Sequence, residues 1–272
     1  MSRLFYQDYL SRQAGWMRCS LVFTSFLGRQ FLTRLLDLLF PPQCSLCSIP
    51  LEPGTQQPCI CRVCQNVLSD RRHPNCPRCA RPLPDARLAN SSVCPTCKVR
   101  TFRFSRALAL GVYCGALREA VLRIKRLGNE PLTLALGSLL AETLSKAEFG
   151  ASPDLLVPVP AHWSRRLQRG CNAPDLLAEA AAGHLHIPVA PDLVVCRRKT
   201  RKQGILLPSE RLRNVRGAFA VSAGYVLDGA HVLVVDDVMT TGATANEIAK
   251  ILLRAGASEV SFAVVARGIG FD

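Results

Sequence analysis

The sequence predicts an α/β fold: a parallel sheet flanked by helices, preceded by a small cysteine-rich module. Three observations carry this reading. Four C-x-x-C pairs fall between residues 44 and 97. From about residue 106, apolar runs alternate with helically spaced ones, the pattern of strands exchanging with helices. Within that stretch VVDDVMTTGAT (234–244) ends an apolar run on two adjacent carboxylates and continues through small and hydroxyl-bearing residues. The chain of 272 residues is 49% hydrophobic, enough to bury a sizeable core in one large domain or two smaller ones. No block has a disordered composition and no 20–50-residue repeat is visible.

Residues 1–40 read as an amphipathic helical extension. Leu32, Leu35, Leu36 and Leu39 share one face ahead of Pro41-Pro42. The uncharged run CSLVFTSFLG (19–28) imitates a signal peptide, but no A-x-A cleavage site follows it. Arg29, Arg34 and Asp37 interrupt any span of bilayer length, so no integral membrane segment is expected. Met17 is a second candidate start, which would remove residues 1–16.

Residues 41–105 carry the pairs Cys44/Cys47, Cys61/Cys64, Cys76/Cys79 and Cys94/Cys97. Two intervening residues let both sulfurs of a tight knuckle face one ion, and Zn²⁺ takes four such ligands in a tetrahedron. The gaps inside the first two pairs and the last two are 13 and 14 residues, which suggests two tandem ribbons with one structural Zn²⁺ each. An interleaved pairing stays open. Metal-bound thiolates suit a reducing cytosol better than a secreted disulfide framework does. Cys59 is the nearest impostor ligand, and His73 lacks knuckle spacing. The isolated Cys19, Cys114, Cys171 and Cys196 are expected to be buried thiols.

Residues 106–272 form the α/β domain. Strands are expected at 107–113, 154–160, 231–238 and 259–267, and helices at 115–127, 131–146, 173–184 and 245–256. The strand–loop–helix at 231–256 is the layout of a phosphate site, because loop amides and a helix N-terminus point at an anion. Thr240, Thr241 and Thr244 add hydroxyl donors, and Gly242 lets the backbone approach closely. Asp236 and Asp237 suit ribose hydroxyls or a bound Mg²⁺. The stretch therefore reads as one pocket for a sugar both hydroxylated and phosphorylated.

Charge points the same way without naming a ligand. The formal net charge is +14. Residues 1–105 hold 14 Lys and Arg against 5 Asp and Glu. Such an excess is a footprint for phosphates, nucleic acid or anionic lipid. RRKTRK (197–202) concentrates five basic residues in six.

VVDDVMTTGAT resembles the phosphoribosyl pyrophosphate (PRPP) signature of type I phosphoribosyltransferases. From about residue 36 onward the chain resembles the ComF/GntX family, which joins a double zinc ribbon to such a domain. The resemblance is carried by LLDLLFPPQCSLC, YCGALREAVLRIKRLGN, LLVPVPAHWSRRLQRGCN and TRKQGILLPSERLRNVRGAF. It implies a type I phosphoribosyltransferase-like sheet, with Asp236 and Asp237 on the ribose hydroxyls and Met239, Thr240, Thr241, Gly242, Ala243 and Thr244 around the 5′-phosphate. It also implies pyrophosphate contacts from the loop at 159–166, including Arg165 or Arg166. A mobile lid would span 197–216, the family pattern there and just beyond it places Gln203, Arg211, Asn214 and Phe219, and Lys125 falls on the family lysine. The chain departs from the family's G-F-N-Q at Gly170-Cys171-Asn172-Ala173-Pro174. Trp163 offers a surface for stacking a base, and His162 is assigned no role.

The resemblance implies one function with two alternatives. The first is a competence and DNA-uptake protein, cytoplasmic or peripheral at the inner face of the membrane, that binds single-stranded DNA and PRPP with Mg²⁺. The second is a phosphoribosyltransferase of unassigned acceptor; pyrophosphate leaves C1 of the ribose, Mg²⁺ and basic groups stabilise the leaving charge, and a closed lid excludes water. The third is a zinc-ribbon adaptor for a helicase or a DNA-translocation machine at the membrane.

Overall fold

The computed structural model describes residues 41–52, 59–69, 74–84, 94–147, 152–162, 172–200 and 207–269. The extension at 1–40, His73, Cys19 and Cys171 lie outside the described residues.

The two ribbons repeat one local geometry. In the first, the Cys44 N–H donates to the Ile49 carbonyl and Ser48 takes a positive φ of 62°. In the second, the Cys76 N–H donates to Arg81 and Ala80 takes a φ of 56°. The left-handed residue directly after each second cysteine folds the chain back, so both sulfurs point the same way. The other pair of each ribbon heads a short helix: Cys61 precedes α1 (Arg62–Leu68) and Cys94 precedes α2 (Pro95–Val99).

Beyond the ribbons come β1 (Arg106–Val112), α3 (Gly115–Ile124), α4 (Glu130–Ser145), β2 (Leu155–Pro158) and α5 (Ala173–Leu185). Next are β3 (Val194–Cys196), α6 (Pro208–Val215), β4 (Phe219–Val221), β5 (His231–Met239), α7 (Ala243–Arg254) and β6 (Glu259–Arg267). The sheet order is β1-β6-β5-β2, every pair parallel. β3 and β4 form a separate antiparallel pair. Among the described residues no helix is long and apolar enough to cross a membrane.

Sheet alternation sorts the apolar run of β5 into two cores. Val232 and Val234 join Val260, Phe262 and Val264 beneath Ile248, Ala249 and Leu252 of α7. Leu233 and Val235 join Ala263 and Val265 on the opposite face, under α3, α4 and α5. A continuous hydrophobic run is what burial on both faces requires. The ribbons divide the same way. Cys76, Cys79, Leu83 and Cys94 belong to the first core, and Cys44, Ile60, Cys64 and Leu68 to the second.

Element edges differ from the sequence expectation for local reasons. α3 ends at Ile124 rather than 127, with Lys125 as its cap and Gly128 beyond at φ 79°. β2 stops at Pro158, which the missing N–H of a second proline at 160 reinforces. α7 starts at Ala243, two residues early, because Gly242 takes φ 74° and turns the loop directly into the helix. α6 lies within residues the sequence left as a lid, and the β3–β4 pair, for which no strands were expected, flanks those residues.

α4 and α5 pack closely at Gly137, where an added Cβ would stand 2.7 Å from the Ala180 Cβ and 2.9 Å from the Leu177 carbonyl oxygen. Gly137→Val is therefore expected to cost about 1–3 kcal/mol, as overpacking of a close contact does. A urea melt checks it: the midpoint falls while the slope stays unchanged.

Candidate functional site

The described Asp236, Asp237, Met239, Thr240, Thr241, Gly242, Ala243, Thr244 and Lys125 all line one cleft of about 640 Å³. It opens at the carboxyl ends of the parallel strands, where open α/β sheets place their ligands. Tyr113 follows β1, and Val159 to His162 follow β2. Asp236 and Asp237 lie near the end of β5, and the loop after it forms the floor. Among the described residues the cleft also takes Asn172, Cys196, Thr200, Val215 and Phe219.

The two carboxylates are not equivalent. Asp237 Oδ2 lies 3.0 Å from the Lys125 ammonium, while Asp236 Oδ1 accepts the Asp237 N–H at 2.8 Å. Burial raises the Asp236 pKa well above the usual carboxylate range, the neighbouring Asp237 charge raises it further, and the Asp237 N–H and Lys125 only partly oppose them. Burial lowers the Lys125 pKa, but Asp237 outweighs it and the net shift is upward. The repulsion implied by two adjacent acids is thus managed by one lysine and one backbone amide.

The loop after β5 is built for close approach. Gly242 sits in the left-handed region, and a Cβ there would meet Phe102 Cε1 at 3.0 Å. α7 begins at Ala243, with its first i→i−4 bond from the Asn246 N–H to the Gly242 carbonyl. The leading amides of a helix have no intrahelical acceptor and carry the positive end of its dipole. Here Gly242, Ala243 and Thr244 line the cleft beside Thr240 and Thr241, and the Ala243 N–H donates to the Thr241 hydroxyl at 3.4 Å.

Arg165, Arg166, Gln203 and Trp163 lie outside the described residues. Arg211 and Asn214 sit on α6, which reaches the cleft through Val215. Phe219, on β4, lines the cleft as well. In the departure at 170–174, Asn172 is the N-cap residue of α5 and its amide donates to the Val159 carbonyl and to Asp175. Pro174 occupies the first turn, where a missing N–H costs nothing. Two cysteine expectations need correction: Cys114 is exposed and Cys196 is half-buried. Cys114 precedes α3 at a strand-to-helix turn, and Cys196 borders the cleft and packs only on the edge of the first core.

Sequence reasoning missed Arg267, which is 2% exposed at the end of β6. Its guanidinium donates to the carbonyls of Met239, Thr240 and Gly268 at the base of the loop after β5 and to Cys79 in the second ribbon. A lone arginine closing an apolar strand, in register with Met239 on β5, was the available signal.

Each ribbon gathers four sulfurs within 4.8 Å of one another: Cys44, Cys47, Cys61 and Cys64, then Cys76, Cys79, Cys94 and Cys97. The pairing is sequential. Sulfur separations of 3.7 Å (Cys47–Cys61), 3.6 Å (Cys79–Cys94) and 4.0 Å (Cys76–Cys97) bracket the ~3.8 Å edge of a tetrahedron with Zn–S bonds of ~2.3 Å. Burial raises the Cys44 pKa, but backbone N–H groups of Cys47, Cys61 and Leu46 outweigh it and bring it to about 6. Those donors favour thiolate, the form a metal requires. Cys59 stays out of the quartet, its carbonyl accepting from Ser45. The donor sets fit structural zinc.

Comparison with known proteins agrees with this architecture. The double zinc ribbon domain family matches residues 35–106, and the phosphoribosyl transferase domain family matches residues 176–270. The DNA utilization protein YhgH of Escherichia coli K12 is 31% identical over 226 residues, covering 82% of this chain and 96% of that protein. Competence protein F of Haemophilus influenzae is 27% identical, covering 76% of this chain and 90% of that one. Competence protein ComFC of Bacillus subtilis is 29% identical, covering 76% and 83%. With a zinc-ribbon pair leading into a phosphoribosyltransferase sheet, and with relatives aligned over most of its length, the chain belongs to the ComF/GntX family.

Proposed function

We propose that the chain binds PRPP, or a related phosphoribosyl ligand, with Mg²⁺ in this cleft, and that it handles incoming single-stranded DNA in natural competence and DNA uptake. One observation supports the ligand above all others. Adjacent carboxylates lie near the end of β5 in a cleft that also takes the loop after that strand and the start of α7. A carboxylate suits the ribose hydroxyls and the helix start suits the 5′-phosphate. Asp237 already has a lysine partner, which leaves Asp236 to meet a metal held mainly by the ligand's own oxygens. Mg²⁺ commonly binds through one or two carboxylates plus substrate phosphates. When bound, it would neutralise pyrophosphate charge.

The DNA role follows from the relatives, named for competence and DNA utilization, together with the +14 charge. The place of action would be the cytoplasm, at the inner face of the membrane. A helicase or another competence protein is the proposed macromolecular partner. Transfer to an acceptor is a second reading, favoured by a cleft volume within the range of small-molecule sites.

Calorimetric titration with PRPP, with and without Mg²⁺, tests the ligand. Saturable, Mg²⁺-dependent binding to one site is expected, and silence at millimolar PRPP would remove the reading. Binding of a labelled oligonucleotide should weaken steeply with salt, because phosphate neutralisation releases counterions. A flat salt response would count against DNA.

A further inference from the structure

Arginines outside the cleft join the metal knuckles to its walls. Arg267 Nε donates to the Cys79 carbonyl at 2.7 Å, inside the second knuckle. Its Nη1 donates to Met239 at 2.9 Å and to Thr240, the residues that open the phosphate loop. Phe102 packs against Gly242 of that loop, and its carbonyl accepts from Arg78 Nη2 at 2.9 Å, again from the second knuckle. The next residue, Arg103, donates its N–H to Asn246 Oδ1 on α7 at 2.7 Å.

The first knuckle has its own link. Arg123 on α3 donates from Nη1 to the Leu46 carbonyl at 2.6 Å and from Nη2 to Ser45 at 2.8 Å, both residues between Cys44 and Cys47. Two positions further on, Lys125 caps the same helix and reaches Asp237 at 3.0 Å.

We propose that each zinc knuckle positions a different wall of the cleft, Arg267 tying the second knuckle to the phosphate loop and Arg123 tying the first to the helix that carries Lys125. Zinc occupancy of the two ribbons then governs two separate halves of the grip on a phosphorylated pentose. The inference rests on the proposed function for the identity of that ligand, but the coupling itself does not.

The physical reason is the guanidinium fork. It is planar, and its donors stand at fixed angles, so its acceptors must hold fixed places. A buried donor that loses its acceptor carries the full desolvation penalty. If the Cys79 carbonyl moves when the second knuckle loses metal, Arg267 either leaves a donor unpaired or drags the Met239 and Thr240 carbonyls with it. The Arg267 cation also stands beside a tetrathiolate that, with Zn²⁺, has a formal excess of about two negative charges. Arg123 reaches the first knuckle through two carbonyls and has no such link to the phosphate loop. Both arginines are positioning residues.

The test is backbone hydrogen exchange on the full chain, read together with zinc content and PRPP calorimetry. Arg267→Lys is expected to keep about two zinc per chain, to raise exchange at 239–245 about tenfold, and to weaken PRPP about tenfold, the scale of one charge-assisted hydrogen bond. Cys97→Ser should release one zinc and loosen the same loop. Arg123→Lys and Cys47→Ser should instead loosen 118–127 while leaving 239–245 protected. A uniform rise across the sheet in all four variants, or an unmoved loop in Arg267→Lys, would overturn the coupling. Should Arg267→Lys fail to fold, the contrast between Cys97→Ser and Cys47→Ser decides. Separate exchange maps in a chain that ignores PRPP would uphold the coupling and sink the pentose reading. Equal PRPP affinity and unmoved exchange in Arg267→Lys would do the reverse.

Discussion

Replacing Asp236 and Asp237 together with asparagine is expected to weaken PRPP binding at least a hundredfold while leaving zinc content and melting behaviour near those of the intact chain. Hydrogen bonds to charged groups contribute about 1.5–3 kcal/mol each, so losing two carboxylates removes about 3–6 kcal/mol of ligand grip. Lys125 loses its partner, but its side chain is 31% exposed and can turn to water. Proton linkage sharpens the expectation. The Asp236 pKa is raised by burial and by Asp237, so acid favours its neutral form. A neutral carboxyl accepts ribose hydroxyls and metal poorly, so PRPP affinity in the intact chain should fall as pH drops through that raised pKa. For folding the sign is opposite. The folded state holds the Asp236 proton more tightly than the unfolded one, so its contribution to stability is present at low pH and lost as pH rises. Calorimetry at several pH values checks both arms. An affinity that is flat with pH, or a double variant that binds normally, would leave the carboxylates without the proposed task.

How much of this was legible in the residues depends on the range of the interaction that fixes each one. The strand–loop–helix at 231–254 is local: apolar run, carboxylates, small loop and helix follow one another in sequence, so its layout could be read directly. The quartets were nearly as legible, because each pair is local and only their partnership required folding. Lys125 lay within reach through its place in a family segment, but nothing near it predicted its distance from Asp237. Arg123 was invisible as a functional residue, and Arg267 showed only as a lone arginine closing an apolar strand. Each looks like an ordinary arginine at the end of an amphipathic or apolar element, and its meaning comes from carbonyls 188 and 77 positions away. Cys114 was misjudged because a buried thiol is only a default, and a strand-to-helix turn at the surface overrides it.

Stripping the metal with a strong chelator under reducing conditions is expected to have the largest effect on stability. Metal analysis should first find about two zinc per chain. Apparent binding free energies of structural zinc, about 10–16 kcal/mol, rival the whole stability of a typical domain, about 5–15 kcal/mol. The ribbon cores are too small to substitute for it. Cys44, Ile60, Cys64 and Leu68 form the buried part of one, and Cys76, Cys79, Ala80, Leu83 and Cys94 that of the other. Their apolar surfaces continue into the two cores of the sheet, so losing them exposes Leu110 on one side and Phe104 on the other. Phe104 is fully buried, stacked on Phe102 at 4.8 Å and edge-on to Phe262 at 5.4 Å. A melting temperature lower by more than about 10 °C is expected, since each kcal/mol moves it by about 2–4 °C in a unit of this size. Unchanged melting after complete zinc removal would show that the ribbons stand without metal.

The pairing of β1 with β6 also has a consequence for biogenesis. A ribosome releases the cysteine knuckles and β1 well before it makes the strand that covers them, since Ala107 waits for Phe262 and the Cys79 carbonyl waits for Arg267. Until then the nascent chain carries a naked apolar ladder. Its safe passage depends on chaperones or on speed, as is common when distant segments must meet.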